Sequence, residues 1–308
     1  MSIRLPKGLS RILGEPTWPG TLPRVLPKKN IGIDYDTDWT RTPAARAFRK
    51  AFQNGLSAPI TRLVAKPTIY GEAHLEALSG PVIFAANHTS HLDTAIVLAA
   101  LPERFRSKSV VAAAADYFFD RPWKAALSSL VLGAIPVERV RVNRQSADIA
   151  AGLLEDGWSL VIFPEGGRST DGWGQEFRGG AAYLAKRCAV PVVPIHLRGV
   201  RPIFPKGSGH LRPGSVEIRF GTPLIPLDGG ENTRGEDSRK FAQRVEAAVA
   251  TLGDEAETDW WGARRRHFAG ATPDFRGPEA SPWRRSWSLP RSAQQHVRRD
   301  EEKKQLPW

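Results

Sequence analysis

The sequence predicts an α/β fold, a mostly parallel sheet covered by helices on both faces and preceded by an amphipathic helix pair. Three observations predict it. From residue 68 to about 225, short apolar runs alternate with stretches of helical composition. The runs are apolar almost throughout rather than at every second position, as strands buried on both faces must be. The intervening stretches are long enough to be crossover helices between parallel strands.

Residues 1–41 are rich in proline, glycine and basic groups, hold Trp18 and Trp39, and show no sustained period. They read as a loosely ordered basic arm. In 42–67, Thr42 can cap a helix whose first residue is Pro43, and Ala45, Phe48 and Phe52 recur at spacings of three and four. Asn54 and Gly55 signal a turn, and a second stripe runs through Leu56, Ile60, Leu63 and Val64. Arg46, Arg49, Lys50, Arg62 and Lys66 surround both stripes, a composition suited either to a membrane interface or to two surface helices packed on the domain.

The main domain covers 68–253. Strands are expected at 81–87, 109–115, 135–139, 159–164, 190–198 and 215–220, and helices at 92–102, 121–132, 146–156 and 177–188. Residues 205–214, PKGSGHLRPG, read as a flexible loop, and Asp237 to Leu252 as a final amphipathic helix. Beyond, 254–308 turns to charges, prolines and tryptophans such as Trp260, Trp261, Trp283, Trp287 and Trp308. This tail is expected to be disordered, or to order only on a surface where Trp and Arg suit lipid headgroups.

The 308 residues suffice for one large α/β domain with appendages. With 44 basic against 32 acidic residues, the net charge of +12 calls for an anionic partner: a membrane surface, a phosphorylated substrate or nucleic acid. The single cysteine, Cys188, excludes an internal disulfide and a thiolate metal cluster and fits a reducing compartment. No apolar core follows Met1 to Lys7, so no secretory signal is expected. Nor is a simple spanning helix, because no apolar run reaches about 18 to 20 residues.

The chemistry centres on NHTSHLDT, Asn87 to Thr94, where the run PVIFAA gives way to AIVLAAL. His88 and Asp93 thus fall at a strand-to-helix junction. Five residues advance a helix by about 500°, so the two would not share a helical face. With His88 in the turn and Asp93 in the first helical turn they can meet, the carboxylate holding one ring nitrogen while the other faces substrate. Two further turns end neighbouring strands: GAIPVERVR, with Arg139 and Arg141, and SLVIFPEGGRST, with Glu165, Gly166, Gly167, Arg168 and Ser169. Glycines let backbone N–H groups approach an anion, and guanidinium grips phosphate through paired hydrogen bonds. In a parallel sheet these turns share the carboxyl-end crevice with His88.

Over roughly residues 70 to 225 the sequence resembles the PlsC-like glycerolipid acyltransferases, the 1-acylglycerol-3-phosphate acyltransferase family. NHTSHLDT matches the family's HX4D block, with His88 and Asp93 in its catalytic positions. GAIPVER resembles the second block and ends in Arg139; FPEGGRS is similar to FPEGTRS and places Glu165, Gly166 and Arg168 on glycerol-phosphate-binding positions. VPVVPI, Val190 to Ile195, resembles the fourth, and Phe177, Arg178 and Gly179 fit a Phe-basic-Gly stretch that trails the third. Gly167 departs from the usual threonine, and Pro136 and Glu138 from an aromatic and an aspartate.

The resemblance implies a glycerolipid acyltransferase-like fold and acyl transfer from acyl-CoA or acyl-carrier protein to the free hydroxyl of 1-acylglycerol 3-phosphate, giving phosphatidate. Glycerol 3-phosphate or another lysophospholipid is the alternative acceptor. His88 would be the base and Asp93 its orienting partner; Arg139 and Arg168 would hold phosphate, and Glu165 a glycerol hydroxyl or Arg168. No cofactor and no metal is expected, the acyl thioester being a co-substrate. The implied partner is a membrane surface with anionic lipid, at the cytoplasmic face, bound peripherally or monotopically, and no nucleic acid is expected.

Three rival chemistries compete with this reading. His88, His91 and Asp93 could suggest a metal-dependent hydrolase, but their spacing is unlike common zinc motifs. Ser90, Ser169 or Cys188 could be a covalent nucleophile, but there is no G-x-S-x-G elbow. Arg and Trp in the tail could bind nucleic acid, but no such fold motif is present.

Overall fold

The computed structural model describes residues 31–138, 144–169, 171–204, 211–227, 236–281, 284–285 and 288–289. Seven strands form one sheet: β1 (Pro67–Tyr70), β2 (Ile83–Ala86), β3 (Ser109–Ala114), β4 (Ala134–Val137), β5 (Ser159–Ile162), β6 (Val192–Arg198) and β7 (Val216–Phe220). Their order is β1-β7-β6-β2-β5-β3-β4. The stretch from β6 to β4 is parallel, while β7 runs antiparallel to β6 and β1 parallel to β7. The six expected strands are present with slightly shorter spans. β1 was not expected, because PTIY is short and only half-buried in alternation; its leading proline suits an edge strand.

Successive residues of the central strands serve opposite faces, and both faces are covered. Phe84, Val111, Val161 and Val193 pack towards the helix Asp93–Ala100. Ile83, Val110, Leu160 and Val192 pack towards the helices Arg144–Glu155, Gly180–Cys188 and Ser238–Glu257. This double burial is why the strands read as continuous apolar runs. It also places the turns after β2 and β5, two adjacent parallel strands, side by side at the carboxyl end of the sheet.

The region expected to be a helix pair is a single helical path. Helix Pro43–Phe52 passes through a π-helical segment, Gln53–Ser57, into helix Ala58–Ala65 without reversing. Thr42 caps it as expected, accepting from the Ala45 N–H. The turn signal at Asn54 and Gly55 is overridden: Pro59 cannot donate to the carbonyl four residues back, and a wider π turn accommodates that loss. Arg49, expected among the solvated charges, is instead buried and donates to the carbonyls of Thr40, Ser129 and Leu130. Gln53 donates to Val131 O. The Ser129, Leu130 and Val131 carbonyls lie in the last turn of helix Pro122–Leu132, where carbonyls run short of intrahelical partners, so the two helices are locked together.

Two boundary expectations are corrected. Residues 31–41 contain two 3-10 turns and bury Tyr35, Thr37 and Thr40, with Gly32 N donating to Phe119 O; residues 1–30 lie outside the described residues. The last domain helix runs to Glu257, and the expected tail continues as helix Trp260–Phe268. Arg266 holds it back on the longer helix through two hydrogen bonds to Asp254, of 2.7 and 2.6 Å. Trp260 and Trp261 stay exposed, and Trp283, Trp287 and Trp308 lie outside the described residues. The expected loop 205–214 is described only from Leu211 onward.

Candidate active site

β2 ends at Ala86, and the next residue fixes where the chain leaves the sheet. Asn87 exchanges two hydrogen bonds with Leu197 of β6, donating to its carbonyl at 3.0 Å and accepting from its N–H at 2.7 Å. Its amide acts as one more strand residue. The chain then turns and re-enters helix at Asp93, whose carboxylate is fully buried. One oxygen, Oδ2, accepts the N–H groups of Thr89 (2.6 Å) and Ser90 (2.8 Å) and meets His88 Nδ1 at 2.8 Å. The carboxylate sits at its own helix's N-terminus, where negative charge is favoured. With Nδ1–H held by Asp93, Nε2 is the nitrogen left for a substrate. The ring is stacked on Phe163, centroids 4.2 Å apart, so the pair expected from spacing meets in space.

The turn after β5 grips the main chain of His88. Glu165, only 2 % exposed, accepts the N–H of His88 at 2.7 Å and that of Gln175 at 3.1 Å. Ser169 N donates to His88 O at 2.9 Å. Burial pushes the Glu165 carboxyl up to about 8, against the pull of its two N–H donors. Each Glu165 oxygen thus accepts a backbone N–H, and the residue lies behind rather than in the lining of the cavity, so the structure gives it a bracing part beside the expected contact with a glycerol hydroxyl or Arg168. Gly166 is there for its conformation. Its φ of +71° is one that side chains rarely adopt, and a Cβ there would lie 2.8 Å from Arg178 Nε, so the guanidinium would have to shift.

A cavity of about 270 Å³ opens in front of His88. It is lined by the polar His88, His91, Arg168 and Arg178, by Gly166, and by apolar residues that include Val111, Phe118, Leu132 and Ile162. Arg168 Nη1 is buried and meets no acceptor among the described residues. His91, stacked on Tyr117 at 5.7 Å, is kept neutral by burial and by the nearby Arg168 charge, both lowering its pKa. Arg139 lies outside the described residues, while its neighbour Glu138 lines the cavity. The site therefore assembles His88, Asp93, Gly166 and Arg168, and adds Arg178. Sequence reasoning noted Arg178 only as part of a Phe-basic-Gly stretch; its position ten residues after Arg168 carried no sign that Gly166 leaves room for it.

The rival nucleophiles are otherwise engaged. Ser90 Oγ donates to Phe204 O at 2.9 Å, and Ser169 Oγ accepts Gly172 N at 2.9 Å. Cys188 closes helix Gly180–Cys188, its thiol pushed up by burial. Among the described residues no three His, Cys, Asp or Glu side chains gather as a metal would require.

Comparison with known proteins places this arrangement. The Acyltransferase family model matches residues 66–198. The chain is 32 % identical over 163 residues to 1-acyl-sn-glycerol-3-phosphate acyltransferase BAT2, chloroplastic, of Brassica napus, covering 52 % of this chain and 45 % of that protein. It is 28 % identical over 190 residues to the human 1-acyl-sn-glycerol-3-phosphate acyltransferase alpha, covering 61 % of this chain and 64 % of that one. It thus spans less than two thirds of the length of these relatives. Its fold is that of the crystal structure of PlsC from Thermotoga maritima, a 1-acyl-sn-glycerophosphate acyltransferase, with TM-score 0.55 and 22 % identity over 71 % of this chain and 86 % of that one.

Proposed function

We propose, from the premise that residues 66–198 form a domain of the PlsC-like acyltransferase family, that the chain transfers a fatty acyl group from a thioester to the free hydroxyl of 1-acylglycerol 3-phosphate. The observation that carries this reading is the His88–Asp93 pair, 2.8 Å apart, facing a cavity lined by two guanidinium groups and by apolar side chains. A lysophosphatidate brings a phosphate, a hydroxyl and an acyl chain, which match those three parts.

His88 Nε2 takes the hydroxyl proton as the oxygen attacks the thioester carbonyl, and Asp93 supports the imidazolium. The tetrahedral intermediate collapses, the C–S bond breaks, and the leaving thiolate takes the proton back from His88. The products are an ester, phosphatidate, and a free thiol. Arg168, with its unsatisfied Nη1, and Arg178 receive the phosphate. The donor is acyl-CoA or acyl-carrier protein, and the reaction uses no cofactor.

The chain works at a membrane surface. No helix among the described residues is long and apolar enough to cross a membrane. The helical path Pro43–Ala65 nevertheless leaves Phe48, Leu56, Ile60 and Leu63 between 49 and 73 % exposed, amid Lys50, Arg62 and Lys66. Such a face suits insertion among anionic lipids at the cytoplasmic leaflet. The adjoining helix Pro122–Leu132 exposes Trp123 and Leu127 as well.

The test offers purified chain, on anionic vesicles, a panel of lysophosphatidate, glycerol 3-phosphate and other lysophospholipids with labelled acyl-CoA and acyl-carrier protein, and identifies the product lipid by mass. Phosphatidate from lysophosphatidate is expected. Preferential acylation of glycerol 3-phosphate would move the reading to the alternative acceptor, and no labelled ester from any acceptor would overturn it.

A further inference from the structure

Beyond the matched domain, the C-terminal chain reaches back to the active site. After helix Trp260–Phe268 it crosses the loop Asp171–Arg178 that follows the Glu165 turn. The contact is interlocked. Gly174 accepts the Phe275 ring so closely that a Cβ there would lie 2.0 Å from it, and Gly277 meets Trp173 at 2.3 Å on the same measure. Trp173 Nε1 donates to Arg285 O at 2.9 Å, Arg285 Nε donates to Asp171 at 2.7 Å, and Leu289 is buried.

The backbone of Gly174 to Arg178 is stitched on two sides. Gly174 N donates to Phe275 O at 3.1 Å and Phe177 N to Glu246 at 2.8 Å, both acceptors lying in the C-terminal region. Gln175 N donates to Glu165 and Arg178 N to Pro164 O, both in the catalytic turn. Phe275 also meets Phe177 edge to face at 5.5 Å, and Arg276 pairs with Glu246 at 3.4 Å. A parallel route runs from Arg285 through Asp171 to Ser169, whose N–H holds His88 O. Each route ends on a peptide group of His88: one on its N–H through Glu165, the other on its carbonyl.

We infer that residues 271–281, with Phe275, together with Arg285 form a positioning strap that fixes the loop 171–178 and through it the attitude of His88 and the entry of Arg178 into the cavity. Phe275 and Arg285 touch no substrate; they act through Gly174 and Asp171. The strap rests on the proposed acyl transfer for its kinetic consequence but not for its structural one. A displacement of about 1 Å at a catalytic group can cost up to about a hundredfold in rate, so a tenfold effect is a modest demand on this linkage.

The experiment compares full-length Phe275→Ala, Arg285→Gln and Arg285→Lys with the unaltered chain, measuring turnover, acyl-donor KM, thermal midpoint and hydrogen exchange at the amides of residues 87–90 and 165–178. Phe275→Ala and Arg285→Gln are expected to lower kcat about tenfold with donor KM unchanged. Exchange at His88 and Gln175 should be at least about tenfold faster while the sheet strands stay protected. Arg285→Lys, which keeps the charge on Asp171, should recover most of the loss. Gly174→Ala should be damaging alone and add nothing on top of Phe275→Ala, since the ring it collides with is gone. Unchanged exchange at His88 and Gln175 in Phe275→Ala, or losses from Gly174→Ala and Phe275→Ala that multiply, would overturn the strap. If the unaltered chain acylates no acceptor, the proposed function fails and exchange alone decides the strap.

Discussion

The cavity in front of His88 and the helical path Pro43–Ala65 use the same kinds of residue to opposite ends. In the cavity, apolar side chains form part of the lining, and the polar groups of the His88 turn are nearly all bound to one another: Asp93 Oδ2 holds three nitrogens and Glu165 two. In the helical path, the buried polar groups Arg49 and Gln53 act as anchors, while Phe48, Leu56, Ile60 and Leu63 face outward. One region has its polar groups fixed in place, and the other leaves apolar area uncovered; the proposed function assigns chemistry to the first and membrane docking to the second. Chemistry and docking should therefore be separable by mutation.

The largest effect is expected at His88. His88→Ala removes the base and should lower turnover by about two orders of magnitude or more while leaving vesicle flotation unchanged; near-normal turnover would dissolve the assignment. Arg168→Ala comes next, raising acceptor KM about tenfold or more as a charge-assisted phosphate contact is lost, with donor KM steady. Arg178→Ala should follow it in direction, and an unchanged acceptor KM in both would leave the cavity without an anion clamp.

The converse experiment is on the helical path. Ile60→Asp or Leu63→Asp should weaken vesicle binding about tenfold each, in line with about 1.5 to 3 kcal/mol for a buried aliphatic side chain, and leave kcat on a detergent-dispersed acceptor unaltered. Equal losses in both assays would show that docking and catalysis are not separate. The smallest effect is a pH dependence within the cavity. The Glu165 carboxyl, raised to about 8 in the fold, favours its protonated form there. Its contribution to stability is full below the ordinary glutamate pKa, declines as pH rises, and is lost through about pH 8. Glu165→Gln should therefore show a shallower fall in thermal midpoint between pH 5 and 9 than the unaltered chain, as roughly bracketed by those two pKa values. An identical fall in both would place the ionisation elsewhere.

Much of this was legible in the chain. The positions of β2, β5 and β6 follow from apolar runs, because burial on both faces leaves little alternation to obscure them, whereas β7 shows as an alternating run. His88 and Asp93 were legible because a strand-to-helix junction is itself a local signal and the two residues straddle it. Glu165 was found by its motif, but its backbone partner was not legible: a glutamate between Pro164 and Gly166 says nothing about which partner is near, and His88 N comes from a strand neighbour 77 positions away. Arg49 was misread for the same reason, since two of the three carbonyls it binds, those of Ser129 and Leu130, belong to a helix about 80 positions on.

Two amphipathic helices mark the boundary most clearly. Helix Ser238–Glu257 buries Phe241, Val245 and Val249 against the sheet, whereas the path Pro43–Ala65 leaves much of its stripe open. Both show a helical period, and period is all that neighbours in sequence can encode. The sequence by itself determined the elements, their order and the residues able to do acid-base and phosphate chemistry. Only the tertiary structure decided which faces are covered, that Glu165 braces His88, and that residues 271–281 cross the loop 171–178. Those outcomes depend on surfaces distant in the chain fitting together, and each depends on atoms that no local pattern names.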